Sequence, residues 1–310
     1  MKVLISCPPM LKRIDEFRSF FEEKNIELII PNIVQTLSEE ELEEILPTVD
    51  GWIIGDDPAS ERVFTAGKKG KLKAAVKWGV GIDNVDFAAC KKLGIPIINT
   101  PNMFGAEVAT VATSYVLGLA RQTYFIDREV RKGNWVKPAG RSLSGLVVGL
   151  IGFGDIGKAT ARFLKGFDMK INIYDPFVNK EESDLQNYNF LSFPEKIEEA
   201  DFVITTCALT PSTRNMVNAD IINNMKDGVY IINVSRGGIV NEADLLVALQ
   251  SGKVEAAALD VFETEPFPID SGLREFDKCI FGTHNGSNTI EGVRRASHQA
   301  ISYLFEFLGV

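Results

Sequence analysis

Proton transfer near neutral pH most often falls to histidine, and this 310-residue chain has only His284 and His298. His284 lies in residues 282–289 (GTHNGSNT), just after an apolar strand, among glycines that let backbone or a ligand come close. His298 falls inside a helical stretch and reads as structural or exposed. Asp260, Glu263 and Glu265 crowd one short loop after another strand, where one carboxylate could fix an imidazole tautomer and favour its cation. Arg236, followed by Gly237 and Gly238, leaves a tight turn after a third strand, and a guanidinium there can grip a carboxylate in bidentate fashion. Each has a plainer reading: a surface ion pair for Arg236, a solvated loop for the acids.

A second group of residues would hold an anion. Gly152, Gly154 and Gly157 fill a G-x-G-x-x-G frame between a strand ending at Ile151 and a helix whose apolar face is Ile156, Ala159, Thr160, Phe163, Leu164 and Phe167. The first glycine permits the tight turn, the second lets backbone approach a pyrophosphate, and the third lets helix lie on strand. Helix amides then point at the phosphates. A second strand ends in Asp175, 18 residues past Gly157, where such a fold places the carboxylate for the adenosine ribose hydroxyls. That carboxylate would repel a 2′-phosphate, and Lys180 is the nearest following cation, so NAD is expected over NADP.

These residues need parallel sheets to position them. Strands are expected at 3–7, 27–31, 51–55, 74–78 and 96–100, with helices near 14–24, 38–46 and 85–93. Ser38 is the N-cap of the second helix, and the basic run Lys68-KGKLK reads as a surface loop. A second series has strands near 146–151, 171–175, 201–206, 229–234, 256–261 and 279–283, with helices near 194–199, 219–225 and 241–250. Between the series, Val108 to Ala120 is too apolar for a solvated helix, so it is buried in the domain or pressed on a second subunit. A last helix, 291–308, carries an apolar stripe and returns to the first domain. Each domain is thus an α/β, doubly wound parallel sheet.

Net charge −9 argues against nucleic acid or an anionic membrane as partner. No leader or membrane-length apolar run is visible, so a soluble cytoplasmic protein is expected. Cys7, Cys90, Cys207 and Cys279 are scattered without a C-x-x-C pair and read as reduced thiols, with no metal site.

Taken together, Gly152–Gly157 (GFGDIG), Tyr174-Asp175-Pro176, residues 209–218 (LTPSTRNMVN), 232–245 (INVSRGGIVNEADL), 258–266 (ALDVFETEP), 283–286 (THNG) and 77–86 (KWGVGIDNVD) resemble the D-isomer-specific 2-hydroxyacid dehydrogenases, of the phosphoglycerate dehydrogenase type. The similarity runs in order along nearly the whole chain. It implies a flavodoxin-like substrate domain of residues 1–99 and 285–310, a Rossmann NAD domain of 100–284, and a cleft between them. It also implies roles: Arg236 binds substrate carboxylate and carbonyl, His284 is the acid or base, and Glu265 orients the imidazole. Val80 and Gly81 offer amides to the carboxylate. Asp155, Ile156, Asp175, Cys207, Val234, Asp260 and Gly286 line the NAD site together with the glycine turn, Arg236 and His284, with Asp260 reaching the carboxamide.

The implied reaction is hydride transfer between NAD and C2 of a D-2-hydroxy or 2-oxo acid. The favoured pair is 3-phosphoglycerate and 3-phosphohydroxypyruvate; glyoxylate, hydroxypyruvate (glycerate) and D-lactate are the alternatives. A phosphate would need cations, with Lys12, Arg13, Lys77 and Arg141 as possible suppliers. Formate dehydrogenases of the same fold pair their histidine with Gln, so Glu265 speaks against formate. A different class, NAD-sensing corepressors that bind peptides, is disfavoured by the intact Arg236, Glu265 and His284. Two departures stand out: Thr206, Cys207 and Ala208 replace the His, apolar residue and Pro of many members, and the chain stops at Val310, where some phosphoglycerate dehydrogenases continue into a regulatory domain. A homodimer is expected.

Overall fold

The computed structural model describes residues 1–178 and 188–310. Lys180 therefore lies outside the described residues. The chain divides into two compact units, Met1–Met103 with Asn288–Val310, and Phe104–Ser287.

The first unit is built on β1 (Lys2–Ile5), β2 (Glu27–Ile29), β3 (Gly51–Ile54), β4 (Ala74–Lys77) and β5 (Ile97–Asn99). They lie in the order β2-β1-β3-β4-β5, every pair parallel, which is the flavodoxin-like winding. Both faces of β3 and β4 are buried, the reason these strands read as near-continuous apolar runs. One face packs on Leu42, Leu46, Phe64 and Ile95 around Trp52. The other meets the helix Ile290–Leu308, whose Val293, Ala296, Ala300 and Leu304 are fully buried and whose Ser297 Oγ accepts a hydrogen bond from Trp78 Nε1 at 3.1 Å. His298 on this helix is exposed and meets Phe17 and Phe20 edge-on.

Local signals explain most boundaries. Ser38 caps the helix Glu39–Ile45 through a capping box with Glu41, as its spacing from that acid dictates. Residues 14–24 form a 3₁₀ turn and a short helix, Ile14–Glu16 and Arg18–Glu22, in place of one continuous helix. The Lys68 run is also corrected: Lys68 and Lys69 close a helix, Glu61–Lys69, begun by Ser60, and cations in a last turn complement the helix dipole.

The second unit carries β6 (Val147–Ile151), β7 (Lys170–Tyr174), β8 (Asn189–Phe190), β9 (Phe202–Thr205), β10 (Val229–Asn233), β11 (Val254–Leu259) and β12 (Ile280–Phe281). Their order is β12-β11-β10-β9-β6-β7-β8, all parallel. From β6 the chain winds outward one way through β7 and β8, then returns to lay β9 to β12 on the other side, the Rossmann pattern extended by a strand.

The helix Gly105–Arg121 is buried within this unit, chiefly against the helix Asp155–Lys165. Thr123–Arg131 adds a helix with no buried residue, a stretch the sequence left unassigned. Residues 194–199 give only a 3₁₀ turn, Ile197–Glu199, because Lys196 takes a left-handed backbone at φ +58° that ends any helix there. Phe167 is exposed and lies beyond the helix, which ends at Lys165 with Gly166 as its C-cap, so it does not belong to the expected apolar face. Among the described residues no helix is long and apolar enough to cross a membrane, and no group of three or more His, Cys, Asp or Glu could hold a metal ion.

Candidate active site

Parallel strands present their carboxyl ends on one edge, and loops leaving that edge collect a site. In the second unit the loops after β7, β6, β9, β10, β11 and β12 carry Asp175, Gly152–Gly157, Cys207, Arg236, Asp260 with Glu265, and His284, in that lateral order. Residues spread over more than 130 positions thus share one sheet edge.

The glycine turn lies where the winding reverses between β6 and β9. Gly152 has φ +98°, and a Cβ on it would lie 2.6 Å from Cys207 N. A Cβ on Gly157 would run into the Gly152 carbonyl, so only glycine lets the helix sit this close to the strand. Gly154 differs: it is exposed and a Cβ there would meet nothing within 4 Å. No protein atom requires glycine at 154, and the open approach suits a pyrophosphate against the helix amides. Thr206, one of the departures noted above, ties the two central strands together by donating its hydroxyl to Gly152 O at 2.8 Å.

Asp175 buttresses the same turn, its Oδ2 accepting from Phe153 N at 2.7 Å and its Oδ1 from Phe177 N at 2.9 Å. Cys207 is half-buried, and burial pushes its thiol up to about 11, so it faces the turn as a neutral group. Asp155 and Ile156 occupy the first turn of the helix; the Asp155 carboxyl packs on Gly105, where a side chain would clash with it. Val234 is buried at the end of β10.

At the other end of the edge, His284 Nδ1 lies 2.8 Å from Glu265 Oε2, both side chains about a quarter exposed. A carboxylate only accepts, so Nδ1 carries the hydrogen and Nε2 is left to exchange a proton. Glu265 Oε1 accepts from Phe262 N at 3.0 Å, which fixes the carboxylate plane. Glu242 and Glu263 cap each other's amides, Glu242 N to Glu263 at 3.0 Å and the reverse at 2.6 Å; burial, then the nearby Glu263 and Glu265 charges, raises the Glu242 carboxyl above its usual range.

Arg236 is brought to this pair by backbone contact: a Cβ on Gly237 would collide with the Phe262 carbonyl, so the loops after β10 and β11 touch. Asn233 Nδ2 donates to Arg236 O at 2.9 Å and holds the turn. Asp260 is only 3% exposed, with its carboxylate turned to the amides of Asn285 and Gly286.

Val80 and Gly81 belong to the first unit, in the loop after β4. That loop turns at Gly79, φ +115°, and is held by Thr100 Oγ1 accepting from Gly79 N at 2.8 Å and by Asn99 Nδ2 donating to Val80 O at 3.1 Å. Tyr115 was not anticipated, since its place on an apolar helix signals packing and nothing in the spacing marks its hydroxyl.

An open glycine turn, an acid ending the second strand and an imidazole–carboxylate pair beside an arginine loop define an NAD-dependent oxidoreductase of the doubly wound α/β class. Comparison with known proteins narrows the class. Residues 113–286 match the family model described as D-isomer specific 2-hydroxyacid dehydrogenase, NAD binding domain. The chain is 37% identical over 280 residues to a hydroxypyruvate reductase of Thermotoga maritima, covering 88% of this chain and 90% of that protein. It is 32% identical to the D-3-phosphoglycerate dehydrogenase of Bacillus subtilis, covering 94% of this chain but 55% of that one, and so spans about half the length of that relative. Among solved structures, an NAD-dependent formate dehydrogenase from Staphylococcus aureus in complex with NAD superposes with a TM-score of 0.87 at 27% identity, covering 99% of this chain and 96% of that one. The chain belongs to the D-isomer specific 2-hydroxyacid dehydrogenase family, and its cofactor is NAD.

Proposed function

We propose that the protein interconverts a small, unphosphorylated D-2-hydroxy acid and its 2-oxo acid, of the glyoxylate or hydroxypyruvate kind. The reaction rests on the 2.8 Å His284–Glu265 pair beside the Arg236 loop. Bound NAD supplies or accepts the hydride at the substrate's C2. Arg236 aligns the carboxylate and stabilises the oxygen that alternates between carbonyl and hydroxyl. His284 Nε2 gives its proton to that oxygen in reduction and takes it back in oxidation, and the Glu265 carboxylate supports the cation between. The amides of Val80 and Gly81 are the further partners assigned to the substrate carboxylate.

The choice of substrate rests on charge. Of the four cations that a phosphate would call on, Lys77 is 2% exposed, with its ammonium on Gly55 O and on Asp56 at 3.1 Å. Arg13 pairs with Glu16. Arg141 pairs with Asp201 at 2.7 Å, and Asp201 Oδ2 accepts from Val147 N, which places the pair at the amino end of β6, the wrong edge of the sheet. Only Lys12 is exposed with no ion pair recorded among the described residues. This inventory weighs against 3-phosphoglycerate, and the relative matched over nine-tenths of its length is a hydroxypyruvate reductase.

The test is NADH oxidation at 340 nm against glyoxylate, hydroxypyruvate, pyruvate and 3-phosphohydroxypyruvate. Glyoxylate or hydroxypyruvate should give the highest kcat/KM. A preference for the phosphorylated acid would overturn the substrate choice, and silence across the panel would overturn the reaction. We also propose a homodimer formed over the 123–135 segment, in which Tyr124, Val130 and Trp135 are exposed, the last 81%. A monomer at micromolar concentration in sedimentation would refute it.

A further inference from the structure

His284 has a left-handed backbone, φ +54°, a conformation unfavourable for a side-chain-bearing residue that persists where neighbours impose it. The imposing groups converge on Asp260. Its main-chain carbonyl accepts from His284 N at 2.6 Å. Its carboxylate accepts from Gly286 N at 2.8 Å and from Asn285 N at 3.3 Å. The turn that presents the imidazole is therefore pinned at three successive amides by one residue, itself almost fully buried.

A buried carboxylate is a reliable pin only if it cannot rotate. The group that restrains it comes from another element: Tyr115 of the helix Gly105–Arg121 donates its phenol to Asp260 Oδ1 at 3.3 Å. Tyr115 is 6% exposed, and burial together with the Asp260 charge pushes its ionisation far above the usual phenol range, so it remains a donor. The space is closed around the two. A Cβ on Gly282 would collide with both Asp260 Oδ1 and the Tyr115 hydroxyl, and one on Gly286 would lie 3.0 Å from Asp260 Oδ2. Packing of an apolar helix needs the ring of Tyr115 but not its oxygen.

We propose that Tyr115 is a positioning residue for the proton-transferring histidine: its phenol, acting through the Asp260 carboxylate, holds the 284–286 turn in the conformation that sets His284 against Glu265. The proposal rests on the reading of His284 given above, yet its first test does not need turnover. Tyr115→Phe keeps the ring and removes one oxygen. Hydrogen–deuterium exchange of the full-length variant should show the amides of residues 284–286 exchanging about tenfold faster, with the rest of the chain unchanged.

In the NADH assay the same variant should lose roughly five- to tenfold in kcat while KM for the 2-oxo acid stays within about twofold, since positioning acts on the reacting geometry. Introduced into Asp260→Asn, Tyr115→Phe should add no further loss in either readout, because the carboxylate through which it acts is gone. Unchanged exchange at 284–286 overturns the proposal. So does faster exchange throughout the unit, which marks general loosening. A wild-type protein silent with every 2-oxo acid would sink the functional reading and leave the exchange result to decide this one.

Discussion

The two sheets end in opposite ways on the same kind of edge. In the first unit, polar groups at the ends of β1, β3 and β4 close on one another. Asp57, fully buried, accepts from Ser6 Oγ at 2.5 Å, Leu37 N at 2.9 Å and Gly55 N at 3.1 Å; Trp52 donates to Ser6, and Lys77 is spent on Gly55 and Asp56. In the second unit, His284 and Glu265 pair but stay 23% and 22% exposed, and Gly154 has nothing over it. A parallel sheet gives both edges the same opportunity. The proposed chemistry uses the edge where the polar groups engage each other only partly, whereas the satisfied, dry network of the first edge holds its loops.

The sharpest test of that contrast is to damage each edge and ask whether turnover or folding suffers. His284→Ala should lower kcat by about 10³-fold or more with NADH affinity, measured by fluorescence titration, nearly unchanged. A near-normal rate would assign the proton to another group. Glu265→Gln should cost about 10²-fold in kcat/KM with its thermal midpoint within about 2 °C of the parent, because it removes support for a cation formed only during reaction.

Lys77→Met should do the reverse. Removing the buried ammonium takes its hydrogen bonds from the Gly55 carbonyl and Asp56, and urea titration should find about 2 kcal/mol of stability lost. Loss of activity without loss of stability would make the first edge a chemical one as well, and the comparison would fail.

The smallest effect is expected at the amino edge of the second sheet. Burial alone would raise the Asp201 carboxyl, but Lys226, the Val147 amide and Arg141 outweigh it and hold it below the ordinary value of 3.8. With the folded pKa depressed, its stabilisation is present above the unfolded pKa and disappears as pH falls through the folded one. Asp201→Asn should therefore cost about 1–2 kcal/mol at pH 7, with the gap from the parent closing below about pH 4 in acid titrations followed by circular dichroism.

Much of the fold could be read from local pattern. β6, the glycine turn and its helix are specified within about twenty residues, and the steric reasons for Gly152 and Gly157 hold in space, while Gly154 stands open. Ser38 marked a helix start because caps are local chemistry. The Glu61–Lys69 helix went unread, since its lysines look like a solvated loop until the buried Val63 and Phe64 are seen. No local pattern marks the left-handed backbone of Lys196, which ends the helix expected near 194–199.

By itself the sequence determined the strand ends at which chemistry would gather, because alternating apolar strands and helices dictate a parallel sheet whose loops carry Arg236, Glu265 and His284. Only the tertiary structure decided which charged groups remain available. Lys77 meets Asp56, Arg141 meets Asp201 and Tyr115 meets Asp260 across separations of 21, 60 and 145 residues. Those pairings follow from how helices and loops pack on a finished sheet, and no local spacing encodes them.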